Sequence, residues 1–223
     1  MNKLFVFALA ACMVAPAFSM SLNIHFKVEE AMRLVIEGSL IDIILQKCPH
    51  SEVNFTYSQP HITLYLTEFQ DNKLNEIQAK LDEIAPTLPK ACQFEYNATE
   101  LSGNYFMWNL AKSDCLQELS DKVVTALAEF RVVNQAVPEW VYQQPEPRRS
   151  KMIQYVKEYG SPNVFEMFAP HVTLAWDEVD DMSILTKYTL PTAPGKACVL
   201  ALGRGGPHGM IRRGKDVKQW SIQ

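Results

Sequence analysis

The sequence lacks an excess of basic charge. Its 223 residues carry 21 Lys and Arg against 25 Asp and Glu, a formal net charge of −4, and the pI is about 5.8. Long nucleic acids are normally bound by a basic surface, so this balance excludes such binding as the general role of the chain. A single nucleotide or RNA end needs only a local site and is compatible with this charge.

The sequence also lacks the motifs of metal and phosphate-loop sites. The spacings of its five cysteines do not resemble a zinc knuckle, and no carboxylate cluster suggests a bound divalent cation. The glycine-rich stretch 203–209 matches neither a P-loop nor a dinucleotide fingerprint. These absences predict a site that works without a metal or cofactor.

Long apolar runs are missing except at the N-terminus. A positive charge near the start, an apolar run over residues 4–14, and small residues Ala17 and Ser19 are typical of a signal peptide with its cleavage site. We therefore expect residues 1–19 to be removed and the protein to be periplasmic or secreted, with no permanent membrane span. The alternative is a lipobox that would leave a lipid on Cys12.

Export would place the remaining cysteines in an oxidising compartment. These are Cys48, Cys92, Cys115 and Cys198. An even number suggests up to two disulfides, with three possible pairings that the sequence does not separate. Four buried free thiols are the alternative.

Hydrophobic periodicity predicts one domain of mixed strands and helices over residues 20–223. Proline-rich residues 137–148 are interpreted as a connection between halves at about 20–136 and 149–223. Strands are expected at 21–28, 60–67, 92–98, 104–110, 170–176 and 196–202, with a short hairpin in 210–223. Helices are expected in parts of 29–46 and from Asp71, Ser113 and Ser150 onward, the last ending at Gly160.

One short stretch occurs twice. Residues 60–66 are Pro-His-Ile-Thr-Leu-Tyr-Leu, and residues 170–176 are Pro-His-Val-Thr-Leu-Ala-Trp. Both are rich in β-branched and aromatic residues, which favour strands, and a strand start tolerates proline. Because side chains alternate across a strand, the histidine and the threonine of each copy should share one face. These residues are His61, Thr63, His171 and Thr173.

Two imidazoles and two hydroxyls in one cleft would suit displacement at a phosphodiester. Histidine titrates near neutrality, so one imidazole can accept a proton from the attacking oxygen while the other donates one to the leaving oxygen. Threonine hydroxyls about 7 Å farther along each strand can donate hydrogen bonds to phosphate oxygens. A single His-x-Thr is more often structural, but its recurrence in the same order indicates a function.

The paired His-x-Thr signature resembles that of the two-histidine (2H) phosphoesterase superfamily, which includes 2′-5′ RNA ligase-like proteins and cyclic phosphodiesterases. The resemblance implies a bilobal α+β fold with two antiparallel sheets, related by a pseudo-twofold axis, around a central cleft with helices outside. It also implies a monomeric, metal-independent phosphodiesterase acting on 2′,3′-cyclic or related nucleotide and RNA-end phosphodiesters. The two histidines would be the acid and base, and the two threonines would bind the phosphate.

Three further residues are candidates for substrate binding. Tyr65 is expected to continue the catalytic face and to stack on a base or sugar, or else to be a plain wall of the cleft. In the glycine-rich stretch, Arg204 and His208 could bind a phosphate, or the stretch is a simple tight turn. Trp176 falls on the opposite face and is predicted to lie in the core.

Two other functions stay open. The chain could hold a nucleotide or RNA end in the same cleft without turnover, which a turnover assay would distinguish. It could also use the histidines as ligands in a metal-dependent hydrolase. The absence of a nearby His-x-His or carboxylate-rich motif disfavours this second alternative, and insensitivity to a chelator would exclude it.

Overall fold

The computed structural model describes residues 18–53, 55–188 and 190–222. Cys12 and all but the last two residues of the predicted signal peptide lie outside these ranges. The first strand begins at Ser19, the last residue of that predicted peptide. No helix in the described ranges is both long enough and apolar enough to cross a membrane.

The described part of the chain forms eight strands and six α-helices. The strands are β1 (Ser19–Lys27), β2 (His61–Gln70), β3 (Cys92–Ser102), β4 (Tyr105–Leu110), β5 (His171–Trp176), β6 (Ala193–Ala197), β7 (Val199–Arg204) and β8 (Asp216–Ser221). The helices are α1 (Glu30–Ser39), α2 (Ile41–Lys47), α3 (Leu74–Ile84), α4 (Asp114–Leu127), α5 (Glu139–Tyr142) and α6 (Arg148–Tyr159).

The strands form two antiparallel sheets of four strands each. The first has the order β2-β1-β7-β8 and the second β5-β4-β3-β6, so each motif strand lies at the edge of its own sheet. The predicted α+β fold with two antiparallel sheets is confirmed. Each sheet takes two strands from before residues 137–148 and two from after them, so the sheets do not correspond to the two sequence halves.

The strand expected over residues 196–202 is two strands in different sheets. β6 ends at Ala197 and pairs with β3, whereas β7 starts at Val199 and pairs with β1. Cys198 lies at the crossing. The apolar residues 197–202 run without interruption across this change of sheet, so hydrophobicity does not reveal the break. A second prediction is also corrected. The hairpin expected in residues 210–223 is not formed; this segment contains the single strand β8, which pairs with β7.

Two of the predicted helix ends are confirmed. The Ser113 hydroxyl accepts a hydrogen bond from the backbone N–H of Leu116, and so caps α4. Gly160 follows α6 with a φ of 72°, a left-handed conformation that glycine adopts without a steric cost. The helix expected from Asp71 onward begins as α3 only at Leu74, because Asp71–Lys73 form a 3₁₀ turn, so Asp71 does not cap the helix.

The apolar faces of both sheets and the helices share one core. Helix α4 contacts β2 of the first sheet and β3 of the second, so it joins them. Its buried residues include Leu119 and Val123, and α3 adds Ile77 and Leu81 to the same cluster. Burial of these side chains, at about 1.5–3 kcal/mol each, is what holds the two sheets in a fixed relation.

One of the two possible disulfides is present. Cys92 at the start of β3 is bonded to Cys115 in the first turn of α4, with their Cα atoms 5.8 Å apart. Cys48 is buried and free, and Cys198 is partly buried and free. The bridge therefore ties the second sheet to the helix that also packs on the first.

We expect Cys92→Ala with Cys115→Ala to lower the free energy of unfolding by about 2–4 kcal/mol, because the bridge restricts the unfolded chain. Denaturant titration under non-reducing conditions would measure this. Cys198→Ser should change the stability much less, since it breaks no bridge. Equal losses in the two proteins would contradict a stabilising role for the disulfide.

Candidate active site

Both motif histidines occupy the first position of their strands. His61 opens β2 and His171 opens β5. Nδ1 of His61 lies 3.0 Å from the carbonyl oxygen of Gln59, and Nδ1 of His171 lies 2.8 Å from that of Ala169. A carbonyl only accepts, so Nδ1 must be the protonated nitrogen that donates in each ring. In the neutral rings, Nε2 therefore carries the lone pair, as a general base requires.

Each motif strand contains an extra residue directly after its threonine. In the first sheet, His25 of β1 is the strand-pairing partner of Thr63, and Ile24 is that of Tyr65. Leu64 is therefore left without a pairing partner on β1. The second sheet shows the same shift at Leu174. In the first sheet, the Ser120 hydroxyl from α4 donates to the carbonyl of Leu64 at 3.0 Å. The two bulges lie at equivalent positions of the two motifs.

These bulges reverse the alternation of side chains and correct two predictions. Beyond Leu64, Tyr65 turns into the hydrophobic core, is 1% exposed and donates its hydroxyl to the carbonyl of Tyr159. It therefore does not continue the catalytic face, and no substrate base can stack on it. Trp176 is buried, as expected, but it lies outside the hydrophobic core cluster and stacks on His208 instead.

One cavity joins the two motifs. His61 of the first motif and Thr173 of the second both line it. His171 and Thr63 are not among its lining residues, although His171 is close enough to His61 for its charge to lower the pKa of that ring. The remaining lining comes from two segments between strands, and consists of Val53, Phe55, Ser58, Gln59, His208, Gly209 and Met210. Arg204 is not among the lining residues; it is exposed at the end of β7.

The predicted residue His208 does reach the cavity. Its ring stacks on Trp176 with a centroid distance of 3.4 Å and an angle of 13°, and its Nε2 lies 3.1 Å from a carboxylate oxygen of Glu52. Its φ is 55°, and that of Gly209 is 75°. A left-handed conformation is costly for histidine, so the surrounding contacts must hold it in place. The segment is therefore shaped around the cavity and is more than a simple turn.

A buried polar network behind His61 was missed by sequence reasoning. The Gln59 amide donates to Asp216 at 2.7 Å and lies 3.2 Å from Nε2 of His25, which itself lies 3.3 Å from Asp216. Asn23 contacts both motif residues of β2. The weak alternation of β1 placed His25 on a polar face, but nothing in the sequence linked residues 23–25 to Asp216, almost 200 residues later.

The environment keeps both motif histidines neutral in the free protein. Burial lowers the pKa of His61 to about 3, and positive charge on His25 adds to this effect. Burial also lowers the pKa of His171, although the carbonyl of Ala169 and the carboxylate of Glu100 oppose the shift. Both Nε2 atoms are thus unprotonated near pH 7 until a negative charge enters the cavity.

No group of three or more His, Cys, Asp or Glu side chains is placed to hold a metal ion within the three described ranges.

Several solved structures align with almost the whole of this chain. A crystal structure of TT0787 from Thermus thermophilus aligns with 91% of this chain and 98% of its own, at 15% identity and a TM-score of 0.53. E. coli LigT in apo form aligns with 92% of this chain and 99% of its own, at 11% identity and a TM-score of 0.49. A structure described as a phosphoesterase aligns with 92% of this chain and 99% of its own, at 13% identity and a TM-score of 0.47. The comparison with curated proteins gives no match.

The fold and the paired motif agree with the architecture that the resemblance to 2H phosphoesterases implied: two antiparallel sheets, each with a His-x-Thr strand at its edge. A family model described as "Protein of unknown function (DUF1045)" matches residues 67–188, which is more than half of the chain. The chain therefore belongs to this family. The second motif lies inside the matched range, and His61 and Thr63 of the first lie just before it.

The lowered pKa of His61 predicts a pH-dependent stability. The folded pKa is about 3 and that of an unperturbed histidine is 6.5, so between these values the unfolded chain binds a proton that the folded chain does not. The free energy of unfolding should therefore fall as the pH falls from about 6.5 toward 3. Denaturant titrations across this range should show a shallower fall in His61→Gln than in wild type.

An unchanged slope in His61→Gln would contradict the neutral state of that histidine in the folded protein.

Proposed function

We propose that this protein is a metal-independent phosphodiesterase that acts on 2′,3′-cyclic or related nucleotide and RNA-end phosphodiesters. One observation carries the proposal: two identically held histidines are each followed by a threonine on the same strand face, and the cavity between the motifs is lined by His61 of one and Thr173 of the other. The Nδ1 bonds to main-chain carbonyls leave Nε2 as the reactive nitrogen of each ring. An acid and a base with matched orientation are what in-line displacement needs.

In the proposed reaction, water attacks the phosphorus atom of the cyclic phosphate. One imidazole accepts a proton from the water at Nε2, and the other, protonated, donates its Nε2 proton to the leaving ribose oxygen. The P–O bond to that oxygen breaks as the bond to water forms, which yields a nucleoside monophosphate. After the reaction, the first histidine releases its proton to solvent and the second takes one up, which returns both to their starting protonation states.

The substrate itself would supply the charge that starts this cycle. Both histidines have lowered pKa values in the free protein. A bound phosphodiester anion beside them favours the charged imidazolium, so it raises both pKa values and allows one ring to hold the proton that the leaving oxygen needs. Protonation would thus accompany substrate binding.

The threonines are proposed to bind the non-bridging phosphate oxygens. Thr63 and Thr173 are both partly exposed on the strand faces of their histidines, and Thr173 lines the cavity together with His61. Their hydroxyls can donate hydrogen bonds to oxygens that gain charge in the transition state. His208 is proposed to contact the substrate beside them, because it lines the same cavity.

The site is proposed to act outside the cytoplasm. The predicted leader supports export, and the Cys92–Cys115 disulfide is of the kind that persists in oxidising compartments. The substrates would then be nucleotides or RNA ends released into that compartment.

Incubation of the protein with the four 2′,3′-cyclic nucleotides in excess EDTA tests the proposal. We expect turnover by wild type and a fall in kcat of roughly a hundredfold or more in His61→Ala and in His171→Ala, since acid–base catalysis contributes at least that much. Separation of the 2′- and 3′-monophosphates would also identify which bond breaks.

His50→Ala is the matched control, because it removes an exposed imidazole that pairs with Asp180, and it should keep wild-type activity. Absence of turnover in wild type would contradict the enzymatic proposal and favour a binding protein. Activity that disappears only in EDTA would show that a metal takes part.

The lowered pKa values also predict the pH profile. The histidine that acts as acid must be protonated, so kcat/KM should fall as the pH rises above its lowered pKa in the free protein. The bound anion raises that pKa, so the alkaline limb of kcat should lie at higher pH than the limb of kcat/KM. Steady-state kinetics between pH 4 and 9 would measure both limbs. A profile that is flat between about pH 5 and 8 would contradict the histidine pair.

A further inference from the structure

The two motifs are alike, but the strands beside them are not. β1 runs next to β2, and β4 runs next to β5. Asn23 of β1 pairs with Leu66, the seventh residue of the first motif, and Tyr105 of β4 pairs with Trp176, the seventh residue of the second. Asn23 and Tyr105 therefore occupy equivalent positions on the strands next to the first and the second motif.

The Asn23 side chain is fully buried and directed at the first motif. Its Nδ2 lies 2.9 Å from Oγ1 of Thr63, 3.3 Å from Nε2 of His61 and 3.3 Å from the carbonyl oxygen of Gly209. Its Oδ1 has no hydrogen-bond partner in the described part of the chain. Burial of an amide with an unpaired oxygen lowers stability, so the core would be better served by an apolar residue.

The acceptors around Nδ2 fix the orientation of the amide. The Gly209 carbonyl can only accept, so the nitrogen of Asn23 and not its oxygen must face this group. The amide has two hydrogens for three acceptors. The shortest contact takes one of them to Thr63, and the second is shared between Nε2 of His61 and the carbonyl of Gly209.

This arrangement determines what the Thr63 hydroxyl can do. Its oxygen accepts from Asn23, so its own hydrogen is directed elsewhere and is available to an acceptor in the cavity. The shared hydrogen meets the lone pair on Nε2 of neutral His61. When His61 gains a proton, its Nε2 becomes a donor to the Gly209 carbonyl, which raises the pKa of the ring, and the amide keeps its bond to Thr63.

We propose that Asn23 is a positioning residue of the first motif, which sets the Thr63 hydroxyl as a hydrogen-bond donor to the substrate phosphate. This inference rests on the proposed phosphodiesterase function. No equivalent side-chain donor to Thr173 is seen in the residues that the structure describes. The two halves of the site are therefore unequal, and the first presents a preset phosphate donor.

A double-mutant cycle on kcat/KM for 2′,3′-cyclic nucleotides tests this role. Asn23→Ala should lower kcat/KM by roughly tenfold, as expected for loss of one buried hydrogen bond. Because Asn23 acts through Thr63, Asn23→Ala combined with Thr63→Val should lose no more than Thr63→Val alone. Combined with Thr173→Val, its effect should instead multiply. Multiplied losses in both pairs, as a general loss of structure would give, would overturn the proposal.

The variant Asn23→Asp distinguishes the hydrogen bond that the amide donates to Thr63 from the space that the side chain fills. Aspartate has the size of asparagine, but its carboxylate cannot donate to Thr63, so it should be at least as impaired as Asn23→Ala. Wild-type kcat/KM in Asn23→Asp would show that the donated hydrogen bond is not needed.

Binding of inorganic phosphate, followed by NMR of the histidine rings, separates this inference from the proposed function. A wild type that binds phosphate but turns over no cyclic nucleotide, with roughly tenfold weaker binding in Asn23→Ala, would refute the enzyme and support the role of Asn23. Normal turnover in wild type with equal phosphate affinity and equal kcat/KM in Asn23→Ala would refute the role of Asn23 alone. Absence of both phosphate binding and turnover in wild type would refute both.

Discussion

The register shift at one leucine in each motif strand determines which side chains reach the cleft. Before Leu64 and Leu174, the histidine and threonine side chains lie on one side of the strand. Beyond these leucines, the residues that a regular strand would place on that side lie on the opposite side. The seventh motif residues then lie toward the loop that carries His208, where Trp176 stacks. A regular strand would turn Tyr65 toward the cavity and Trp176 away from His208, which lines the cavity. The bulges therefore shape the cavity through the support that Trp176 gives to His208.

The motif proline has a part in orienting the imidazoles. Each histidine follows a proline, and its Nδ1 bonds the carbonyl of the residue before that proline, Gln59 or Ala169. A residue that precedes proline is restricted to extended conformations, so the position of that carbonyl is largely set by local sequence. The same tautomer therefore arises twice from the same tripeptide pattern. In the first sheet, Gln59 is further anchored by its side chain to Asp216.

The sequence predicts those side-chain positions that depend on local strand geometry, and it does not predict those that depend on pairing between distant strands. Each motif histidine shares a strand face with its threonine, as expected, because both residues precede the bulge, where simple alternation holds. Tyr65 was misplaced because a bulge leaves no mark in hydrophobic periodicity. Asn23 and Asp216 could not be assigned, since each is an ordinary polar residue until the first sheet brings β1, β2 and β8 together. The apolar run 196–202 hid a change of sheet for the same reason.

The interleaving of strands constrains when the molecule can assemble. β7 lies between β1 and β8, so the first strand of the chain keeps an unpaired edge until Val199–Arg204 is available. An exposed strand edge is a template for wrong pairing. A nascent chain that has emerged only as far as β5 already carries both motifs but cannot complete the first sheet. The first sheet should therefore be completed only after β7 and β8 have been synthesised, although both motifs are made before them.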